Sequence, residues 1–354
     1  MKTQIHFITP DGSDREILNK DIKYAEWPYL RNGGCGDAKF ICSMPLTDSS
    51  LVHTAAKKSM LDVLVKNEGA GAYDTRYSGF ITGLERIDDR EKQIVKITAS
   101  GFAEQLKRFI ITAEPAYPNT VGGLMQGLLD TYVCPETLIT YDEGGIGGSF
   151  AVNGLKLAGY SVAEAMRLLS MIQGGGEYGV NANKQFYHKA VSATVGQVDI
   201  GPKDISCIDH GKIMDPLCNK VRLYGGITDS GEQYSRVVDN APAQDTCGIR
   251  EVKLLIPAIV TDGVADQFAA NYLAIMKDPL VMVGYKRKTS EFDWIEEATP
   301  IPKVRTHFKG ISANVGVDLP LNAVVYVLDG NKKEMRMEIG NLLDNMKDWT
   351  HHVT

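Results

Sequence analysis

The residues able to do chemistry in this chain are three adjacent carboxylate pairs, a short cysteine and histidine run, and two glycine-rich stretches. Asp142-Glu143, Asp88-Asp89 and Glu296-Glu297 supply the acids that a glycoside hydrolase sets on either side of a cleft, one as proton donor and one as base or nucleophile. Each pair consists of sequence neighbours in a turn or loop, where successive side chains diverge, so all three read as solvated turn charge. Cys207-x-x-His210, with Cys218 eight residues further on, comes nearest to metal-ligand spacing. No fourth ligand is evident and Cys218 holds an apolar position before Asn219, which favours a buried small thiol over a structural zinc. His351 and His352 are strand neighbours whose side chains point to opposite faces, which argues against a shared metal site.

The glycine stretches, 144–149 (GGIGGS) and 174–176 (GGG), have phosphate-loop composition without the spacing of either the GxxxxGK[ST] or the GxGxxG motif, and read as flexible connectors. No histidine begins an HExxH pair and no GxSxG elbow occurs. His53, His188, His210 and His307 are isolated and read as surface or satisfied core residues. Trp27 and Tyr29 could stack on a sugar ring, but an apolar anchor at a strand edge fits them better. The sequence therefore predicts no catalytic, cofactor-binding or metal-ligating residues, and a protein that is not an enzyme.

The elements that carry these residues are read from periodicity. With 44% apolar residues in 354, the chain can fill two or three cores. Its net charge of -6, with signs scattered along the sequence, leaves no basic run to neutralise a row of phosphates, so sequence-specific nucleic-acid binding is not expected. Six cysteines without CxxC pairing read as reduced thiols. Neither a secretory signal nor an apolar run of membrane-spanning length is present, which predicts a soluble product without stable membrane association.

Residues 1–100 alternate with period two. TQIHFI and LDVLVK are strands, and RYSGFITGLERI with KQIVKITAS forms a long hairpin in which Gly79 and Gly83 mark bends or close backbone approach. From Gly101 to about 195 the period becomes helical. FAEQLKRFI carries Phe102, Leu106, Phe109 and Ile110 on one side; a second helix begins at a Thr120 cap; a third begins at a Ser161/Glu164 capping box; and a hairpin turns at 181–184. From 196 to 354 strands return, interrupted by one helix over 261–277 with Val264, Phe268, Tyr272, Ile275 and Met276 inward. The expected class is α+β, mostly β, with units at 1–100, 101–195 and 196–354.

One stretch ties these units to a family. Asp245-Thr246-Cys247-Gly248-Ile249-Arg250-Glu251 crosses from the strand QYSRVVDN to VKLLIPAIV, downstream of DPLCNKVRLYGG with its Asn219. In that order, with YSGFITGLE, GFAEQLKRF, SVAEAMRLLS and the hairpin after it, the chain resembles bacteriophage baseplate and tail-tip hub proteins, also related to the hub part of type VI secretion spikes. The resemblance implies two tail-tube-like β-barrel domains with an inserted α/β domain. It also implies a structural homotrimer whose six barrels form a pseudo-sixfold ring. Such a ring joins the tail tube or distal tail protein ring to a tip, spike or fibre protein and lines the channel for tape-measure protein and DNA. The implied location is the virion tail tip, after synthesis in the host cytoplasm. A receptor- or carbohydrate-binding tip module is the second reading and a cell-wall hydrolase the third.

Overall fold

The structure, a computed structural model, describes residues 3–8, 14–17, 21–45, 62–68, 73–88, 92–114, 119–189, 195–196, 205–213, 218–276, 280–289, 303–305, 318–319, 321–330 and 332–340. The first strands are β1 (Thr3–Ile8), β2 (Asp14–Ile17), β3 (Ile22–Leu30), β4 (Asn32–Cys35), β5 (Ala38–Pro45), β6 (Asp62–Glu68), β7 (Tyr73–Asp88) and β8 (Lys92–Gly101). In β3 the alternation puts Ala25, Trp27 and Tyr29 inside, and in β5 it puts Phe40 and Cys42 inside. The long hairpin β7/β8 forms as expected, with a register shift between Ile81 and Gly83. At Gly79 an added Cβ would lie 2.7 Å from the Ser100 carbonyl oxygen, so the backbone approach anticipated there is real.

A 3-10 helix, Phe102–Arg108, follows. It buries Phe102 and Leu106 but leaves Ile110 exposed, contrary to the helical stripe expected over 102–110. The reason is geometric: three residues per turn bring different positions inward than 3.6 do, and the chain is already extended at Phe109. Next come α1 (Val121–Leu128) and, after β9 (Thr140–Ile146), α2 (Val162–Gln173). Both caps match their sequence signals. Thr120 accepts from the Gly123 N–H, Ser161 and Glu164 close a reciprocal box, and Gly174 ends α2 at a left-handed φ of 115°. The hairpin β10 (Glu177–Val180) and β11 (Gln185–Lys189) turns at the expected residues.

The remaining elements are β12 (Val195–Gly196), β13 (Ile205–Ile213), β14 (Lys220–Ile227), β15 (Gln233–Asp239), α3 (Ala241–Cys247), β16 (Glu251–Leu255), α4 (Asp262–Met276), β17 (Leu280–Thr289), β18 (Lys303–Arg305), β19 (Asp318–Leu319), β20 (Leu321–Asp329) and β21 (Lys332–Gly340). The class is α+β and mostly β. Two features were not read from the sequence. Residues 241–247, which run into the expected crossing 245–251, form a short helix. The expected strand VKLLIPAIV ends at Leu255, where Pro257 lacks the N–H a ladder needs.

The topology is mixed. A 15-stranded sheet runs β13-β17-β21-β20-β3-β5-β8-β7-β6-β1-β2, with β4, β10, β11 and β9 branching from it. Strands from both ends of the chain thus share one ladder, joined where Tyr326 faces Trp27 across β20 and β3. Among the described residues that path does not close into a barrel. A separate three-stranded sheet, β15-β14-β16, pairs β14 antiparallel to β15 and parallel to β16.

Apolar side chains gather in two clusters. One holds Ile5, Trp27, Phe40, Tyr77 and Ile97 with Val324, Tyr326 and Met335 from the C-terminal hairpin. The other joins residues of 102–186, such as Leu128, Met166 and Leu169, to Val221, Leu254, Phe268 and Tyr272. Among the described residues no helix is long and apolar enough to cross a membrane.

Candidate functional site

Among the described residues, those weighed above for chemistry do not converge. Asp142 and Glu143 are exposed in β9, and Asp142 accepts a hydrogen bond from the Gly144 N–H at 3.3 Å, which ties it to its own turn. Cys207 and His210 lie in β13 opposite Lys286 and Val283. Cys218 is buried elsewhere, with its thiol donating to the Lys220 carbonyl at 3.2 Å. Asp89, Glu296, Glu297, His53, His307, His351 and His352 lie outside the described residues, as does the side chain of Asp88. Among the described residues no three His, Cys, Asp or Glu side chains gather at metal-binding distance.

Burial pushes the Cys42 thiol up to about 12 and raises Cys134 and Cys218 as well, so these sulfurs stay protonated and weakly nucleophilic. Trp27 stacks on Tyr326 with ring centroids 5.9 Å apart, and the Tyr29 hydroxyl donates to that of Tyr187 at 3.2 Å. Both aromatics are buried anchors with no open face for a sugar.

The 144–149 stretch is not a flexible connector. Gly144 to Ile146 lie in β9, which pairs parallel to β11, and the Gly147 N–H donates to the His188 carbonyl at 2.9 Å. Gly148 takes a φ of 145° and accepts from the Gly122 N–H at 2.9 Å, so glycine here permits close docking on α1. His188 is buried, its Nδ1 hydrogen-bonded to the Gly147 carbonyl. Desolvation lowers its pKa below the ordinary value, so the ring is neutral.

Three arrangements do organise the molecule. The first is the crossing, where Asn219 is buried and fully used. Its Nδ2 donates to the Gly248 carbonyl at 2.6 Å, its Oδ1 accepts from the Arg250 N–H at 2.8 Å, and its carbonyl accepts from the Asn240 N–H at 2.9 Å. One side chain thereby fixes how the chain passes from α3 into β16. The inner face of this sheet, Val221, Leu223 and Leu254, packs in the helical core, and Arg236 reaches Asp266 at 2.8 Å on α4. The outer face carries Tyr224, Val237 and Leu255 with an Arg222–Glu251 pair at 2.6 Å.

The second arrangement is a buried ion pair that the sequence reading missed. Arg31, after β3, and Glu177, opening β10, approach to 3.5 Å with side chains 3% and 4% exposed. Parallel pairing of β4 with β10 brings them together, and it requires Gly34 at φ 74°, where a Cβ would meet the Val180 carbonyl oxygen. No local pattern announces a pair this far apart in sequence.

The third is the outer face of the large sheet. Across β3, β5, β8 and β7 the register sets Glu26, Lys39, Thr98, Lys96 and Glu85 on one surface, with Lys96 and Glu85 at 3.3 Å. Further along, Arg336 on β21 reaches Glu334 at 2.8 Å and Glu26 at 3.6 Å.

What these parts define is a scaffold: an extended mixed sheet, a helical core beside it, and polar residues that act as joints. No protein-family model matches the sequence, and no curated protein matches it. Solved structures do share the fold. The tail protein from Neisseria meningitidis MC58 aligns with a TM-score of 0.64 over 99% of this chain and 98% of its own, at 11% identity. The 43 kDa tail protein of prophage MuSo2 from Shewanella oneidensis aligns at 0.63 over 97% and 99%, at 11% identity. An Escherichia coli type VI secretion component, described as structurally similar to the T4 bacteriophage tail proteins gp27 and gp5, aligns at 0.50 over 90% and 73%, at 12% identity. The hub resemblance carried by motif order is thus met at the level of fold, and the chain has the fold shared by phage tail proteins and spike-related secretion proteins.

Proposed function

We propose that this chain is a structural hub protein of a phage tail tip. The observation that carries this reading is the end-to-end correspondence with a tail protein, 99% of this chain on 98% of the other. In this reading residues 1–100 and the β-rich parts of 196–354 supply two tube-like modules, and 101–195 is the α/β insertion between them. The pairing of β20 with β3 means that the first module borrows strands from the other end of the chain.

Three copies would present six such modules, which matches a hexameric tail tube or distal ring on one side and offers threefold symmetry to a tip, spike or fibre on the other. The role is geometric and not catalytic. The outer face of β3, β5, β8 and β7, where Lys96 meets Glu85 and Glu26 meets Arg336, suits a channel wall: cations matched by carboxylates give a polyanion no row of free charge to bind. Tape-measure protein and DNA would pass along it during ejection. The site of action is the virion tail tip.

Mass measurement and reconstruction of assembled particles test this directly. The expected result is three copies, or a multiple of three, at the tip, each contributing two modules. The isolated protein can remain monomeric at low concentration, because a ring completed on a tube template need not close in solution. A ring of six copies, each giving one module, would make this a tube or distal-tail ring protein instead.

A further inference from the structure

The glycine-rich strap 147–150 is tied to three elements. Gly147 and His188 bond reciprocally: the Gly147 N–H donates to the His188 carbonyl at 2.9 Å, and the His188 Nδ1–H donates to the Gly147 carbonyl. On α1 the Gly122 N–H donates to the Gly148 carbonyl at 2.9 Å and the Val121 N–H to the Phe150 carbonyl at 3.0 Å. The Phe150 N–H donates to Gln173 Oε1, at the end of α2, at 3.2 Å. One short segment thus joins β11 to the start of one helix and the end of another.

The bond to the Gly147 carbonyl also fixes the tautomer of His188. A carbonyl only accepts, so Nδ1 carries the ring proton and Nε2 keeps a bare lone pair. The residue is 1% exposed, and Nε2 has no hydrogen-bond partner among the described residues. It lies against Gly176, where an added Cβ would come within 2.8 Å of it, and the Gly176 carbonyl already accepts from Ser170 Oγ at 2.8 Å. Titratable or charged residues on the elements around the ring are Glu177 and Tyr178 on β10, Tyr141, Asp142 and Glu143 on β9, Lys189 on β11 and Arg167 on α2. None bonds to Nε2: Glu177 meets Arg31 at 3.5 Å, Tyr141 donates to Asp130, Asp142 accepts from the Gly144 N–H, Glu143 is exposed, and Lys189 lies over the Tyr187 ring. A second proton therefore puts a charge and an unpaired N–H into a buried place, which is costly.

We propose that His188 is an acid-sensitive latch: a proton on Nε2 loosens the 147–150 strap from β11, and with it the start of α1 and the end of α2, while the rest of the fold holds. The response is local because relief is nearest there. Gly147 is exposed, so parting its two bonds to His188 lets water reach the ring, whereas baring it by unfolding a core would cost far more. Gly147 and Gly176 border the ring, and backbone without side chains shifts there with little hindrance. Burial lowers the pKa of the ring below its ordinary value, so the latch is closed at neutral pH. The open form takes up the proton more readily than the closed one. Its population therefore rises as pH falls below about 6.5, by at most about tenfold per pH unit, and levels off below the pKa of the closed form. This device stands apart from the hub reading and does not depend on it.

Hydrogen exchange on the full chain, followed from neutral to mildly acidic pH and corrected for the intrinsic pH dependence of exchange, tests the latch. The amides of Val121, Gly122, Gly147 and Phe150 are expected to lose protection by a factor approaching tenfold per pH unit, while those of α4 keep theirs. In His188→Gln, whose side-chain amide can still donate to the Gly147 carbonyl but takes up no proton, this dependence is expected to vanish. Long-range proton–nitrogen NMR of the wild-type ring gives a check that needs no mutation. It should show the Nδ1–H tautomer at neutral pH and a protonation midpoint that coincides with the loss of protection in the strap. Opening while the ring stays neutral, protonation without opening, or equal loss in the strap and in α4 would each overturn the latch. A folded His188→Gln chain with the wild-type pH dependence would do the same.

Discussion

The two apolar cores of this molecule are built on opposite plans. The helical core takes its residues from 102–186 and 218–276, where capped helices of 3.6 period pack on a three-stranded sheet. The strand core takes residues from 5–99, Ala182 from the 181–184 turn and, from the far end of the chain, 321–337. In the first, most order is local: Ser161 and Glu164 start α2 and Gly174 ends it, whatever lies elsewhere. In the second, β3 cannot bury Trp27 until Tyr326 arrives on β20, so its order depends on closing a very long loop. Polar residues sit where the plans meet, above all Arg31 and Glu177.

The largest effect should come from Trp27→Ala. Removing a fully buried ring costs about 3–5 kcal/mol. Hydrogen exchange should show protection lost together over β3, β5, β20 and β21 while α2 and α4 keep theirs. Equal loss across both cores would mean that they unfold as one unit and that the distinction has no energetic content. Phe268→Ala, at a similar cost, should give the mirror pattern.

Breaking the joint comes next. Arg31→Met leaves Glu177 without its cation in a buried place, and such half-removed pairs lose about 3–5 kcal/mol. Arg31→Met with Glu177→Leu should recover much of this in chemical denaturation, since the paired charges also carry a desolvation cost. If the double variant is no better than the single one, the pair does more than compensate itself.

Asn219→Ala should cost less, about 1–3 kcal/mol, by stranding the Gly248 carbonyl and the Arg250 N–H. Its mark should be local: faster proteolysis at 241–250 with the strand core untouched.

The pH dependence of stability isolates His188. Burial holds its folded pKa below the ordinary value near 6.5, so the unfolded chain takes up the proton first. Its contribution is complete above that value and is lost as pH falls below it toward the folded pKa. Stability of the native protein should therefore decline as pH falls below about 6.5, and His188→Gln should flatten that slope. An unchanged slope would show that the histidine stays uncharged throughout or that other groups set the trend.

The smallest effect belongs to the outer face of the three-stranded sheet. Arg222→Ala removes an exposed pair with Glu251, and its thermal midpoint should be indistinguishable from that of the parent.

How much of this was legible depends on the range over which each feature is encoded. Caps, hairpin turns and the inward stripes of α1, α2 and α4 were readable because the residues that make them lie within a few positions of one another. Val264, Phe268 and Tyr272 announce a buried face by spacing alone. The class followed from the same periodicities, and the hub resemblance from the order of local segments. The 3-10 geometry over 102–108 was not readable, because the period of a single short turn is ambiguous. The short helix at 241–247 was missed because Asn240 and Pro242 serve a turn as well as a helix start.

Asn219 and the crossing were both singled out, but that one side chain clamps the other required the fold. The same holds for Arg31 and Glu177 and for the union of both chain ends in one ladder. The sequence by itself determined most strands, the helices with clear caps or apolar stripes, and the apolar face of each, because those depend on neighbours along the chain. Only the tertiary structure decided which strands pair, which charges are matched and which are left open. Register between distant strands is chosen by total burial and hydrogen bonding over the whole sheet, and no local window contains that sum.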